Sequence, residues 1–377
     1  MKILLGAATG LWALCGLAGT GVTAEIFSEQ ERAIIQSFGP WPLSLNADPS
    51  NNMSDNNAAI KLGKALFFDK RLSKNNDLSC ADCHDPNNSF ADGQALNSDH
   101  GDAIRNTPSL FNLRWSNWFG WGGEADSLWS QSIRPMLSPE EMALTGEKLR
   151  NLLDEDRLLA SQIQQVSGVS IAAETDEVLF VLIGKLLAAY QETLVSEPTA
   201  FDRFRLAQET ADLSSSTGFS NSAKRGLKIF IGDGRCFLCH FGPMLSNGEF
   251  GDIGISQFIS KGKIDRGRYA GIKILKSSPF NRLGKYSDNP EKVEKTRTEH
   301  VTLQHKNWGE FKIPSLRNVS KTGPYMHNGS LATLADVVDF YSNLNEERLH
   351  TQGEAILKPL SLSDTEKEDL LSFLRTL

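Results

Sequence analysis

A chain of 377 residues with 40% hydrophobic and 23% charged side chains can bury two ordinary cores, so two domains are the default expectation. The formal net charge of -7, without a long basic run, argues against nucleic acid as a partner and gives anionic membranes little attraction. Five cysteines are present, and their placement along the chain says more than their number.

Residues 1–24 carry Lys2, an apolar run and small residues ending in Val22-Thr23-Ala24 before Glu25. This is the pattern of a secretory signal peptide. Its apolar core is shorter than the ~20 residues of a spanning helix, so stable membrane insertion is not expected; an uncleaved anchor is the alternative. Cys15 lies inside this segment. Its removal leaves four cysteines, all in two short motifs, so the mature chain has no thiol for a structural disulfide. A periplasmic location is expected.

Along the mature chain, apolar residues at helical spacing predict a helix over 58–68, broken at Asn75-Asn76-Asp77. Cys80-Ala81-Asp82-Cys83-His84 follows, and then a stretch of turn formers from Asp85 to Gly93. Glu177 to Tyr190 is nearly all apolar and too long for a strand, which predicts a buried helix at a domain junction. Leu213 to Gly218 reads as a linker, dividing the mature chain into domains 25–205 and 206–377. A second helix over 223–230 leads into Cys236-Phe237-Leu238-Cys239-His240, so a helix-then-motif unit occurs twice. The stretch from Lys261 to Glu299, rich in Lys, Arg, Gly, Ser and Pro, reads as a solvated surface insertion. Leu334 to Tyr341 reads as another helix.

Each Cys-x-x-Cys-His is a covalent haem attachment pattern. Two thiols three positions apart can add to the two vinyl groups of one porphyrin, while the following histidine reaches the iron. Zinc sites and redox dithiols also use Cys-x-x-Cys. Zinc ribbons, however, place their pairs about 15 to 20 residues apart, whereas these two lie in opposite halves and each carries the extra histidine. The expected cofactors are two covalently bound haems c, on Cys80, Cys83 and His84 and on Cys236, Cys239 and His240.

The chain resembles the bacterial di-haem cytochrome c peroxidase and MauG family over its mature length. The matching motifs are Leu66-Phe67-Phe68-Asp69 with Arg71-Leu72-Ser73, both haem motifs, Arg105-Asn106-Thr107-Pro108-Ser109-Leu110, Pro314-Ser315-Leu316-Arg317-Asn318, and Thr322-Gly323-Pro324-Tyr325-Met326-His327-Asn328-Gly329. The resemblance implies a mostly α fold of two cytochrome c-type haem domains facing each other, the first with a peroxide-reactive haem. It puts the sixth ligand of the second haem at Tyr341, where peroxidases carry methionine; Met326, Met244 and a purely packing role for Tyr341 are alternatives. A phenolate is an anionic, hard donor and favours oxidised iron, unlike a thioether. With His240 opposite, it would close the second iron to peroxide.

The same resemblance makes Glu141 the catalytic acid-base group, with Gln131 and Pro135 in the distal pocket. Ser138-Pro139-Glu140-Glu141 also reads as an acidic helix start, with Glu140 a near decoy. His100 reads as an ordinary loop histidine, the alternative being a removable ligand to the first iron. Trp121 is implied as the conduit between the haems, while Trp115, Trp118 and Trp129 read as packing or pocket walls. Asn106, Thr322 and Pro324 match the family's calcium position between the domains; plain turn residues are the alternative.

Phe119 to Gln131 and Asp265 to Asp288 look like the MbnH branch of this family, whose members use hydrogen peroxide to oxidise a tryptophan of a secreted copper-binding partner to kynurenine. A high-valent two-haem state and a protein substrate are thereby implied. This chain departs from its relatives at Arg282, in a stretch where they often carry a cysteine pair, and at Gly234, where MauG has a surface tryptophan. A detoxifying cytochrome c peroxidase and a non-catalytic di-haem electron carrier are the competing functions; Tyr341 argues against the first, Glu141 and Gln131 against the second.

Overall fold

Residues 26–97, 104–210, 218–260, 263–289, 294–345 and 357–377 are described in the computed structural model. The signal segment, His100 and most of the 213–218 linker lie outside them. Among the described residues no helix is long and apolar enough to cross a membrane.

Helices supply most of the regular structure: α1 (Glu29–Ser37), α2 (Asn57–Phe67), α3 (Cys80–Cys83), α4 (Leu128–Leu137), α5 (Gly146–Glu155), α6 (Arg157–Ser167), α7 (Asp176–Gln191), α8 (Ala200–Thr210), α9 (Asn221–Ile231), α10 (Arg268–Ser277), α11 (Glu294–His300), α12 (Leu334–Ser342) and α13 (Asp364–Leu374). Most begin where a side-chain oxygen satisfies a first-turn N–H, as Asn56, Thr175, Ser220 and Ser363 do for α2, α7, α9 and α13. The helices predicted over 58–68, 177–190, 223–230 and 334–341 are α2, α7, α9 and α12. Strands are few: β1 (Phe250–Gly251), β2 (Phe258–Ser260), β3 (Lys263–Ile264) and β4 (Phe311–Lys312) form two antiparallel pairs, β1 with β4 and β2 with β3.

Two apolar clusters organise the packing. In the first, α2 and α4 lie against α7. In the second, α9 crosses α13. The two crossings repeat one device. Gly63 of α2 meets α7 so closely that a Cβ there would lie 1.9 Å from the Leu186 carbonyl oxygen, and Gly226 of α9 would meet the Asp369 carbonyl of α13 at the same 1.9 Å. Each glycine thus lets two helix backbones touch, with Tyr190 and Phe373 beside them.

The halves also exchange residues. Phe27, Ile35 and Phe38, from the start of the described chain, pack into the second cluster, together with Phe201 and Phe204 of α8. Tyr286, far along the chain, packs into the first, with Phe280 beside it.

The stretch 261–299 is not the solvated insertion expected. Asp265, Arg268, Asn281, Ser287 and Thr298 are buried, as are Gly271, Ile272 and Leu275 of α10. Its charges have partners across the fold: Arg105 binds Asp265, and Arg282 reaches both the Asp126 carbonyl and Asp48. A composition that reads as surface is thus used to tie the stretch inward.

Candidate active site

The two Cys-x-x-Cys-His motifs present the same frame. The His84 N–H bonds the Cys80 carbonyl at 2.9 Å, and the His240 N–H bonds the Cys236 carbonyl at 2.9 Å. His84 Nδ1 then meets the Phe90 carbonyl at 3.1 Å, and His240 Nδ1 the Leu245 carbonyl at 3.1 Å. Both acceptors sit in the left-handed region, Phe90 at φ 57° and Leu245 at φ 49°, a rare backbone for such side chains. The loops are held by Ser109 Oγ on the Ser89 carbonyl and Ser315 Oγ on the Met244 carbonyl, each 2.6 Å.

With Nδ1 donating to a carbonyl, Nε2 of each ring is left as the ligating lone pair. Burial keeps both rings neutral, lowering His84 and bringing His240 down to about 4. Burial also raises the Cys80 and Cys236 thiols to about 12 and Cys83 to about 11. These are not the activated thiolates of a redox dithiol. Among the described residues no three His, Cys, Asp or Glu side chains converge as a metal site requires. Paired thiols outside any disulfide, beside an oriented imidazole, fit covalent haem.

One turn-and-helix unit also occurs twice. Phe119 bridges Ala125, and Tyr325 bridges Leu331. Gly120 and Met326 open the two turns at φ 76° and 72°, and Gly123 and Gly329 close them at 66° and 63°. Ser127 caps α4 and Thr333 caps α12. Counting from the first helical residue, Leu128 or Leu334, Pro135 and Tyr341 are both eighth. Where the second unit offers a phenol, the first offers a ring with no donor atom.

Tyr341 lies within electrostatic range of Cys236 and Cys239; burial raises its pKa, and the two thiols add to the effect. Gln131 lies one turn before Pro135 on the same face of α4, and its Oε1 is buried without a partner. Such an orphan acceptor is rare in a protein interior and is free for an incoming donor.

Glu141 follows α4 in a turn, not in a helix. The turn folds back on the end of α4, with the Met142 N–H on the Pro135 carbonyl at 3.1 Å and the Leu144 N–H on the Met136 carbonyl at 2.7 Å. No helix starts at 138–141; α5 begins at Gly146. Glu140 is exposed and accepts from Ser138 Oγ, whereas Glu141 lies within electrostatic range of Cys83. The Glu141 side chain is accessible, yet the surrounding protein raises its pKa by desolvation, opposed by Arg134 and assisted by Glu140.

Trp121 joins the halves. Its indole Nε1 donates to the Asn106 carbonyl at 2.8 Å, and its own carbonyl accepts from the Lys312 N–H at 2.8 Å. Beside it, Arg105 binds Asp265 through two 2.7 Å bonds and also pairs with Glu124. His327, equivalent to Trp121 in the repeated turn, stacks on Phe311 at 3.4 Å. Trp115 and Trp129 serve packing: one indole N–H bonds the Ser44 carbonyl, the other Ser50 Oγ. The Asn106 N–H bonds the His327 carbonyl at 2.8 Å, three residues beyond Pro324, and Asn106 Nδ2 bonds the Gln94 carbonyl. Thr322 Oγ1 lies 3.4 Å from the Val319 carbonyl.

Residues 57–211 match the family described as di-haem cytochrome c peroxidase. Across 98% of its length the chain is 32% identical to the methylamine utilization protein MauG of Methylorubrum extorquens, covering 91% of that protein. The chain belongs to the di-haem cytochrome c peroxidase and MauG family. It is also 31% identical over 84% of its length to cytochrome-c peroxidase IdrP2 of Denitromonas iodatirespirans, of which it covers 81%. A MauG-like protein associated with microbial copper homeostasis shares the fold, with a TM-score of 0.66 at 23% identity over 90% of this chain and 95% of that one.

As a member of the di-haem peroxidase family, the protein is a peroxide-dependent oxidoreductase with two c-type haems as cofactors and hydrogen peroxide as co-substrate. Sequence reading of this di-haem peroxidase missed Arg105, Glu124, Arg268 and Lys312 as residues around Trp121. Arg105 and Asp265 stood in quoted motifs, but nothing local says that side chains 160 positions apart meet.

Proposed function

We propose that this enzyme uses hydrogen peroxide to oxidise a partner protein: His84 would hold a peroxide-reactive haem, His240 and Tyr341 would hold a second one, and Trp121 would link the two. The single observation that carries this reading is the equivalence of Pro135 and Tyr341. One unit has a residue unable to ligate, the other a phenol within electrostatic range of the Cys236 and Cys239 thiols. The haems, when bound, supply the iron that reacts with peroxide and stores its oxidising power.

The chain's own residues do the rest. Glu141 moves a proton between the two peroxide oxygens, a task suited to a carboxyl of raised pKa. The free Gln131 Oε1 accepts a hydrogen bond from peroxide or water and orients it. Pro135 keeps the distal side open. The two haem-bearing domains are 25–205 and 206–377, with 27–38 and the Phe201 and Phe204 side chains of α8 contributed to the second core. A calcium ion on Asn106 and the Thr322–Pro324 turn would sit where the halves meet, bound by neutral oxygens.

The substrate we infer is a tryptophan, converted to kynurenine, in a secreted copper-binding protein of the periplasm. Its support is that the two stretches resembling the MbnH branch pack on each other: Arg268 bonds the Gly122 and Gly123 carbonyls, and Arg282 bonds Asp126. Arg282 is one of the positions at which the chain departs from its relatives, and its bonds to Asp126 and Asp48 provide a non-covalent tie. The test is to add one equivalent of peroxide to the fully ferric protein and record near-infrared absorption, then add candidate partners and map oxidised tryptophan by mass spectrometry. If only half-reduced protein turned over, with a small cytochrome as donor, the detoxifying peroxidase would be the right reading.

A further inference from the structure

Trp118 and Trp121 lie three residues apart in one loop, and the same indole chemistry is available to both. Their surroundings are opposite. Trp118 is 2% exposed, and its indole N–H has no acceptor. The Arg268 guanidinium is clamped between its ring, at 4.4 Å, and that of Phe250, at 4.0 Å. Arg268 is itself buried and held by the Gly122 and Gly123 carbonyls at 3.2 and 3.0 Å. A second cation, Lys312 Nζ, bonds the Trp118 carbonyl at 2.7 Å. Trp121 has an acceptor for its N–H in the Asn106 carbonyl, and among the described residues no cation stacks on its ring.

We propose that Arg268, assisted by Lys312, confines oxidising equivalents to Trp121 by holding fixed positive charge on Trp118. A cation over an intact indole is attracted by the ring quadrupole. Once the ring loses an electron, the attraction becomes charge repulsion, which is strong in a low-dielectric interior. Oxidation also makes the indole N–H strongly acidic, and Trp118 has nothing to take that proton. Burial lowers Arg268 to about 10, so the guanidinium is still charged at neutral pH. Arg268 is therefore a positioning residue for the oxidising equivalent, and it touches neither peroxide nor iron.

The reaction suppressed is self-oxidation. One Trp118 ring C–H and one hydrogen peroxide would give one C–OH and one water; the ring loses two electrons, and the breaking O–O bond takes them up. The proposal rests on reading Trp121 as the conduit.

The test uses full-length, haem-loaded ferric protein given a fixed dose of peroxide without a partner, followed by peptide mapping of oxygen added at Trp118 and Trp121. Arg268→Gln should raise Trp118 oxidation at least about tenfold, Lys312→Met should raise it less, and Arg268→Lys should leave it at the wild-type level. No rise in haem-loaded Arg268→Gln, or an equal rise in Arg268→Lys, would overturn the proposal, since the second result reports lost packing and not lost charge. Should Arg268→Gln fail to load haem, Lys312→Met decides by the same map, and an unchanged Trp118 refutes. Near-infrared absorption of the wild type scores the conduit separately: its absence sinks the reading of Trp121 whatever the Trp118 map shows.

Discussion

Pro135 and Tyr341 occupy the same position, the eighth residue of a capped helix that follows the same turn, in two copies of one unit. A single substitution at either should make the halves alike. Pro135→His would place a ligand over the first haem, and the expected outcome is a loss of peroxide reactivity of about 100-fold or more with both haems still attached. Tyr341→Phe should leave peroxide consumption at the first haem but abolish the near-infrared signal of the shared state. Stopped-flow absorption with peroxide checks both.

Glu141→Gln keeps the size of the side chain and removes its capacity to shuttle a proton. Peroxide reactivity should fall by about 10²–10⁴-fold, whereas Glu140→Gln, on the exposed neighbour, should change it little. A rate unaffected in Glu141→Gln would move the acid-base role elsewhere.

Asp202 and Arg317 form a buried pair with two 2.9 Å bonds, and Arg317 lies 3.6 Å from the Trp41 ring centre. Burial alone would raise Asp202, but the Arg317 bonds and charge, with Thr199, outweigh it and hold the carboxyl below its usual range. Burial disfavours the Arg317 charge, yet a guanidinium stays protonated wherever proteins fold, so the pair titrates through Asp202. Its contribution is complete above the ordinary carboxylate pKa of about 4 and is lost as pH falls through the lower folded value. Asp202→Asn should lower stability at neutral pH by about 3–5 kcal/mol and flatten the decline on the acid side, measured by urea unfolding from pH 7 downward.

Gly63→Ala and Gly226→Ala reverse a general rule. Alanine inside a helix normally stabilises by about 1 kcal/mol over glycine. Here the added Cβ would meet a carbonyl oxygen at 1.9 Å in each helix crossing, and only a backbone shift relieves that. Each variant should be destabilised by about 1–3 kcal/mol or more, with reduced haem incorporation in the half concerned, read as the ratio of singly to doubly loaded protein in an intact mass spectrum.

Features with a local cause were legible in the sequence. The repeated Cys-x-x-Cys-His, the long apolar run of α7 and the spacing of α12 follow from short-range pattern. What was not legible depends on distant partners. Lys, Arg and Ser in 261–299 read as solvated because composition cannot say that Asp265 meets Arg105, or that Arg282 meets Asp48. The lone N–H of Trp118 has the same origin: its neighbours arrive from α10 and β4.

Phe27, Ile35 and Phe38 complete the second core, and Tyr286 completes part of the first. The two cores are therefore interlaced in sequence, although they form separate clusters. Cutting the gene at residue 205 would yield a first fragment missing Tyr286 and exposing Phe27, Ile35, Phe38, Phe201 and Phe204, and a second fragment missing those five core residues. For the proposed sharing of charge through Trp121 this interlacing matters, because pulling the halves apart would take Phe27, Ile35, Phe38, Phe201 and Phe204 out of the second core and Tyr286 out of the first.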